Sequence, residues 1–188
     1  VAAGRVDVVI DATGNPNVGT RFALDAIHNG KHVVMLNVEA DITIGRHLKA
    51  QAEGAGVVYT GAMGDEPACA IELIGFAQSL GLKIVCAGKG KNNPLKFDAV
   101  PKEYEAEARA RNMNARMLVE FVDGSKTMIE MVAIANCTGL VPDVPGMHGP
   151  AATREELGSV LVPKSHGGVL SQSGCVDYSI GKGVAPGV

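Results

Sequence analysis

Lys126 and Glu130 stand four residues apart in SKTMIEMVAIANCTG (125–139), a run whose other side chains are mostly apolar. Met128, Ile129, Met131, Val132, Ala133, Ile134 and Ala135 occupy nearly the whole circumference of a helix of that period, so the helix is expected to be largely buried. A charge on such a helix is costly unless it is paired or meets a ligand. Asp123 lies just ahead of the first turn. A lysine beside carboxylates suits transfer to and from a carbonyl: the ammonium protonates the developing alkoxide as a hydride arrives, and the carboxylate keeps the lysine charged and in place. Lys126, Asp123 and Glu130 are therefore candidate catalytic residues, and Glu66 joins them from a second stretch.

That stretch is TGAMGDEPACAIEL (60–73), where two glycines and the pair Asp65-Glu66 precede an apolar helical run. One carboxylate beside Pro67 is enough to start a helix. The other is free to face substrate or a hard cation, so Asp65 and Glu66 are candidate ligands for a divalent ion such as Mg or Mn, and Asp65 a candidate substrate contact. Further on, KGKNNPLKF (89–97) reads as a turn leaving a strand, with Lys89 and Lys91 as candidate substrate-binding cations for a phosphate or carboxylate.

The elements that must position these residues are legible in outline. VDVVIDAT (6–13), KHVVMLN (31–37) and GVVYTG (56–61) read as buried strands, separated by helical patterns over 19–30 and 41–56. Short connections between them make the strands parallel and the helices crossovers. Ligands gather at the carboxyl ends of such strands, here ATGNPN, LNVEAD and TGAMGDE. After these come a helix over 68–81, a strand over 82–88, and a polar surface helix or arm over 101–114. MLVEFVDG (117–124) reads as a strand and turn. The 125–139 helix follows, with Ser125 as N-cap and Gly139 as stop. The tail from 141 on is rich in Gly and Pro, with one short helix around 153–158 and short strands after it. The fold class is α/β: the distal half of a Rossmann-type parallel sheet (1–60), then an α+β catalytic or substrate domain (61–150) with a Gly/Pro-rich C-terminal part (151–188).

Composition narrows the partners. Among 188 residues, 46% are hydrophobic, 4% aromatic with no Trp, and the formal charge is -3 at a pI near 6.0. Scattered Lys and Arg on a mildly acidic chain argue against nucleic acid, and no apolar run reaches the length of a membrane span. Cys69, Cys86, Cys137 and Cys175 form no CxxC and read as reduced core residues of a cytoplasmic protein. His148 and His166 stand singly in Gly/Pro-rich loops without metal-ligand spacing, and Ser171-Gln172-Ser173-Gly174-Cys175 lacks a nucleophile-elbow frame. The partner expected is a small molecule, on a homo-oligomer. No G-x-G-x-x-G occurs, and with the abrupt start at VAAGRVD this is read as a missing N-terminal half, without which the chain is expected to be inactive.

DVVIDATGNPNVGTRFALDAIHNGKHVVMLNVEAD (7–41) resembles the distal half of the cofactor domain in homoserine-dehydrogenase-like oxidoreductases. NVEAD, GDEPACAIELI, AGKGKNNP and FVDGSKTMIEMVAIANCTGL resemble the oxidoreductases that carry a C-terminal SAF domain, a group that includes deoxyxylulose-phosphate-reductoisomerase-like enzymes. The resemblance spans nearly the whole chain. It implies NADP or NAD as cofactor, with contacts from Ala12, Thr13, Gly14, Asn15 and Asn37, and a substrate site in the second domain where Asp65, Glu66 and Lys126 meet the nicotinamide. Homoserine dehydrogenases follow this Asn with a Lys, whereas Val38 and Glu39 stand here, which counts against that activity in the literal sense. The reductoisomerase-like members imply an NADPH-dependent reaction on a phosphorylated sugar assisted by a divalent cation. Two other classes compete: a lyase or aldolase using Lys126 as a Schiff base, and a non-catalytic ligand-sensing domain on a degenerate cofactor fold.

Overall fold

The computed structural model describes residues 4–181, 183, 184, 187 and 188. Lys182, Ala185 and Pro186 of the GKGVAPG tail, and the first three residues of the VAAGRVD start, lie outside the described residues. The chain divides into two compact units that meet between Asp65 and Glu66.

The first unit holds β1 (Val8–Asp11), α1 (Pro16–His28), β2 (His32–Met35), α2 (Val38–Gly54) and β3 (Tyr59–Gly61), with the three strands parallel in that order. The expected strand-helix alternation is present, and both helices begin three residues earlier than the apolar period indicates. Capping explains this. The Asn15 side chain accepts from the N–H groups of Asn17 and Val18, with Pro16 in the first turn; the Asn37 side chain accepts from Ala40, with Glu39 and Asp41 complementing the helix dipole. Val33 and Met35 on alternate positions of β2 turn inward to meet Ala23, Ala26, Ile27, Leu48 and Ala52 of the helices.

The second unit contains α3 (Glu66–Ser79), β4 (Cys86–Lys91), a 3-10 turn (Pro101–Tyr104), α4 (Glu105–Ala110), α5 (Ala115–Val122) and α6 (Ser125–Thr138). It continues with β5 (Val141–Pro142), α7 (Leu157–Val160), a second 3-10 turn (Lys164–His166) and β6 (Cys175–Ile180). Its sheet runs β4-β6-β5, all parallel, with Cys86 opposite Cys175 and Lys91 opposite Ile180. Ala70 and Ile74 of α3 and Met131 and Ile134 of α6 pack with Val176 and Tyr178 of β6.

Five local expectations are corrected here. The strand foreseen at 82–88 lies at 86–91, so Lys89 and Lys91 are strand residues and not loop cations. MLVEFVDG is helical: Asn114 accepts from the Arg116 N–H at 2.8 Å, Arg116 and Glu120 pair at i,i+4, and Leu118 and Val119 are buried. The N-cap of α6 is Gly124, at φ 87°, so Ser125 is its first residue; Gly139, at φ 76°, ends the helix as expected. The short tail helix lies at 157–160 instead of 153–158. Burial of α6 is narrower than its composition indicates. Thr127, Glu130, Met131 and Ile134 form the buried stripe, while Val132 and Cys137 are exposed; of the four cysteines expected in the core only Cys175 is buried, with Cys69 and Cys86 partly buried. No helix among the described residues is long and apolar enough to cross a membrane.

Candidate active site

Lys89 is the centre of the charged cluster in the second unit. It leaves β4 on the same face as Ala87 and Lys91, towards α3 and α6. Its Nζ donates to Glu66 Oε1 at 3.0 Å and to Glu130 Oε2, and the Lys89 side chain is only 10% exposed. Glu66 is the first residue of α3, where a carboxylate also complements the helix dipole. Glu130 comes from the buried stripe of α6 and is fully enclosed. Lys126, one turn earlier on α6, approaches Glu130 Oε1 at 3.5 Å, a distance of ion pairing at which that oxygen takes no hydrogen bond. The structure thus brings Lys89, Glu66, Glu130 and Lys126 together. Sequence reasoning placed Lys126 first; the geometry gives the better-enclosed, doubly paired position to Lys89.

Burial pulls the Lys89 ammonium down, but Glu130 and then Glu66 more than restore it, and its pKa stands above that of an ordinary lysine. Burial also lifts the Glu130 carboxyl above the usual range, against the opposing pull of Lys89. The pair acts as one cation held between a buried and a half-exposed carboxylate. Lys91 differs in kind. It is 5% exposed, its Nζ donates to the Phe121 carbonyl, and burial followed by repulsion from Lys89 lowers its pKa. Asp123 accepts from the Ser125 N–H at 2.8 Å and so holds the α5–α6 corner. Neither residue belongs to the Lys89 cluster by direct bond. Asp65 closes the first unit and is the chain neighbour of Glu66.

Glu66 and Glu130 offer the oxygen donors that a hard divalent cation takes. Lys89 takes one oxygen of each carboxylate, Glu66 Oε1 and Glu130 Oε2, and Glu130 Oε1 takes no hydrogen bond, so the pair could hold such a cation beside the ammonium.

The strand-end residues of the first unit form their own cluster. Asn37, buried at the end of β2, donates to Asp11 Oδ2 at 3.2 Å and to the Asn15 carbonyl at 2.9 Å. The Thr13 N–H donates to Asp11 Oδ1 at 2.9 Å. Gly19 has no Cβ because one would stand 2.0 Å from Asp11 Oδ2. Asn15 and Asn37 thus spend their side chains shaping the turn, while Ala12, Thr13 and Gly14 remain exposed at the strand end.

A second cluster escaped the sequence reading. Asp177, 1% exposed on central β6, accepts from the backbone N–H groups of His148, Gly149 and Tyr178, and lies 2.9 Å from His148 Nδ1. His148 Nε2 is 3.5 Å from Asp143 Oδ2, which accepts from the Ser171 N–H. This network anchors the 143–149 loop to β6. The available signal was Asp177 itself, a carboxylate in the apolar strand CVDYSI, where a buried charge demands donors.

A cavity of about 760 Å³ is lined by residues of α3, β4 and β6, Lys89 among them, by the 154–162 segment and by tail residues Gly183, Val184, Gly187 and Val188. No curated protein matches the chain. The family described as Oxidoreductase DRL, catalytic domain, matches residues 64–188. That span covers the unit holding the Lys89 cluster and its cavity, so the cluster lies in an oxidoreductase catalytic domain, and the chain belongs to the oxidoreductase DRL catalytic-domain family.

Proposed function

We propose that the protein transfers a hydride between NAD(P)H and the carbonyl or hydroxyl carbon of a small substrate, with Lys89 as the proton donor and acceptor. The observation that carries this reading is a lysine 10% exposed, bonded by two carboxylates and lining a cavity of substrate size. A nicotinamide would supply the hydride. Lys89 Nζ then serves the substrate oxygen: it polarises the carbonyl and gives up a proton as the alkoxide forms, and in the reverse direction takes that proton back. Glu130 keeps the ammonium charged and aimed. Glu66, with 30% of its side chain exposed, connects Lys89 to solvent for the return of the proton. Lys126 steadies Glu130 from the opposite oxygen.

The exposed backbone of Ala12, Thr13 and Gly14 suits the close approach of a cofactor, with Asn15 and Asn37 as the residues that shape this turn. A reductoisomerase-like reaction is the narrower version of this reading. It needs cations for a phosphate, yet Lys89 is committed to Glu66 and Glu130, and Lys91 to the Phe121 carbonyl. It also needs a divalent ion, which Glu66 and Glu130 would hold beside the Lys89 ammonium. The reading therefore rests on carbonyl reduction alone. The decisive experiment pairs NAD(P)H binding, followed by nicotinamide fluorescence, with turnover of a Lys89→Ala variant of the full-length protein. The expected result is retained cofactor binding with turnover reduced by at least about a hundredfold, the low end for a lost general acid. Normal turnover in folded K89A protein would overturn the assignment.

A further inference from the structure

Two sides of α3 are apolar, and only one of them is buried. Pro67, Ala70 and Ile74 form the buried stripe. On the opposite side Leu73, Phe76 and Leu80 repeat the same spacing and are 55%, 62% and 61% exposed, and Leu82 follows past the helix end at 59%. Four large apolar side chains, each more than half exposed, present on the order of 400 Å² of apolar surface, a size at which a patch marks an interaction site. Gly75 stands beside Phe76 inside the helix and is exposed. A Cβ there would meet nothing within 4 Å among the described residues, so the packing of the chain gives no reason for a residue that weakens a helix interior. A ring or backbone arriving from outside does give one. The charges at the rim of the patch also lack partners within the chain. Glu72, one turn before Phe76, and Lys83, beyond the end of α3, are exposed, and neither makes an ion pair among the described residues. A two-fold axis near Phe76 sets α3 antiparallel to a second α3. Glu72 of one copy then faces Lys83 of the other, Leu73 meets Leu80, and each Phe76 ring lies over the other copy's Gly75. Such a pattern complements itself, as an isologous contact requires.

We propose that the outer face of α3 is the contact between two copies of this chain, packed antiparallel about Phe76 and Gly75. Used from both sides, the patch buries roughly 800 Å² of apolar surface, and the rim of Glu72, Ser79 and Lys83 brings the total to about 1,200 Å², where specific interfaces begin. A contact of that size makes a dimer that dissociates on dilution. It is independent of the hydride-transfer reading, because neither Lys89 nor its two carboxylates take part in it.

Sedimentation equilibrium of the whole chain over a concentration series is expected to show reversible association from 19.4 kDa to twice that mass. Phe76→Asp is expected to raise the dissociation constant at least about thirtyfold, the threshold of an interface hot spot. Gly75→Leu separates this contact from a merely apolar surface. It adds apolar area and favours the helix, so the thermal midpoint of the chain holds or rises, yet it fills the notch and weakens the dimer at least about tenfold. Glu72→Lys sets like charges opposite each other and weakens the dimer, and adding Lys83→Glu restores it to within about threefold of the parent. This charge swap changes no apolar surface, so it decides the matter even where F76D fails to fold. A mass of 19.4 kDa at every concentration, as when another segment or a different protein covers this face, overturns the proposal. So does a dimer that survives both F76D and G75L, one that E72K leaves unchanged, or one that the swap does not restore. Loss of the dimer in F76D and G75L with the circular dichroism of the parent, together with restoration by the swap, upholds it.

Discussion

Lys89 is held by two carboxylates of unequal exposure, and that inequality sets what each substitution does. Removing the lysine leaves Glu130, fully enclosed, with Lys126 at 3.5 Å as its remaining cation. Lys89→Ala is therefore expected to cost about 3–5 kcal/mol, the range for one partner removed from a buried pair. Replacing both partners by apolar groups removes the stranded charge, and Lys89→Met with Glu130→Leu is expected to restore stability to within about 1–2 kcal/mol of the parent. Turnover stays lost in the double variant, because the proton donor is gone. Urea unfolding beside a turnover assay separates the two effects, and a double variant that remains as unstable as the single one sinks the buried-pair account. The cysteines give a second check at this scale. Burial, then the charge of Asp177, pushes the Cys86 thiol up to about 12, and Cys175 is fully buried and also raised. A raised thiol pKa means less thiolate at any working pH, so both resist alkylation, whereas exposed Cys137 reacts first. Peptide mapping after brief iodoacetamide treatment at pH 8 reads the order directly; early labelling of Cys86 contradicts the enclosure of β4.

At the scale of elements, the same residue types carried both the right and the wrong expectations. The βαβ alternation was legible because Val-rich strands, cap residues and Gly turns agree over residues 7–61. The second unit was harder to read at two places, each for a physical reason. AGKGK has no β-branched residue, and its two lysines mimic a solvated turn; what makes it a strand is β6 beside it and Glu66 and Glu130 above it, partners far away in the chain. MLVEFV has the composition of a strand, and helix wins through a cap and an i,i+4 pair that lie at its ends. Asn114 is thus assigned a measurable share: Asn114→Ala is expected to lower stability by about 1 kcal/mol, while Asn114→Ser, which keeps an acceptor, loses only a fraction of that. Equal losses in chemical denaturation would show that the cap does not set the start of α5. The candidate site was legible as a list of charged residues on apolar elements. Its centre was not, since the choice between Lys89 and Lys126 depends on the register of β4 against β6.

For the molecule as a whole, the two cores use separate stretches of chain. Ala23, Ala26, Ile27, Val33, Met35, Leu48 and Tyr59 all precede the division at Asp65, whereas Ala70, Ile74, Met131, Ile134, Val176 and Tyr178 all follow it. The family match begins at residue 64, beside the same division. A domain that owns its core needs no apolar contact from a neighbour to fold. A fragment from Met63 to Val188 keeps the start of α3, the whole β4-β6-β5 sheet and the Lys89 cluster. It is expected to unfold in one cooperative thermal transition by circular dichroism, with Cys86 still protected from alkylation before that transition. It is also expected to lack NAD(P)H turnover, because Ala12, Thr13 and Gly14 are absent from it. A fragment that binds hydrophobic dye and melts without a transition would show that the second core depends on the first unit. Turnover by the fragment would instead move the cofactor contacts out of the first unit altogether.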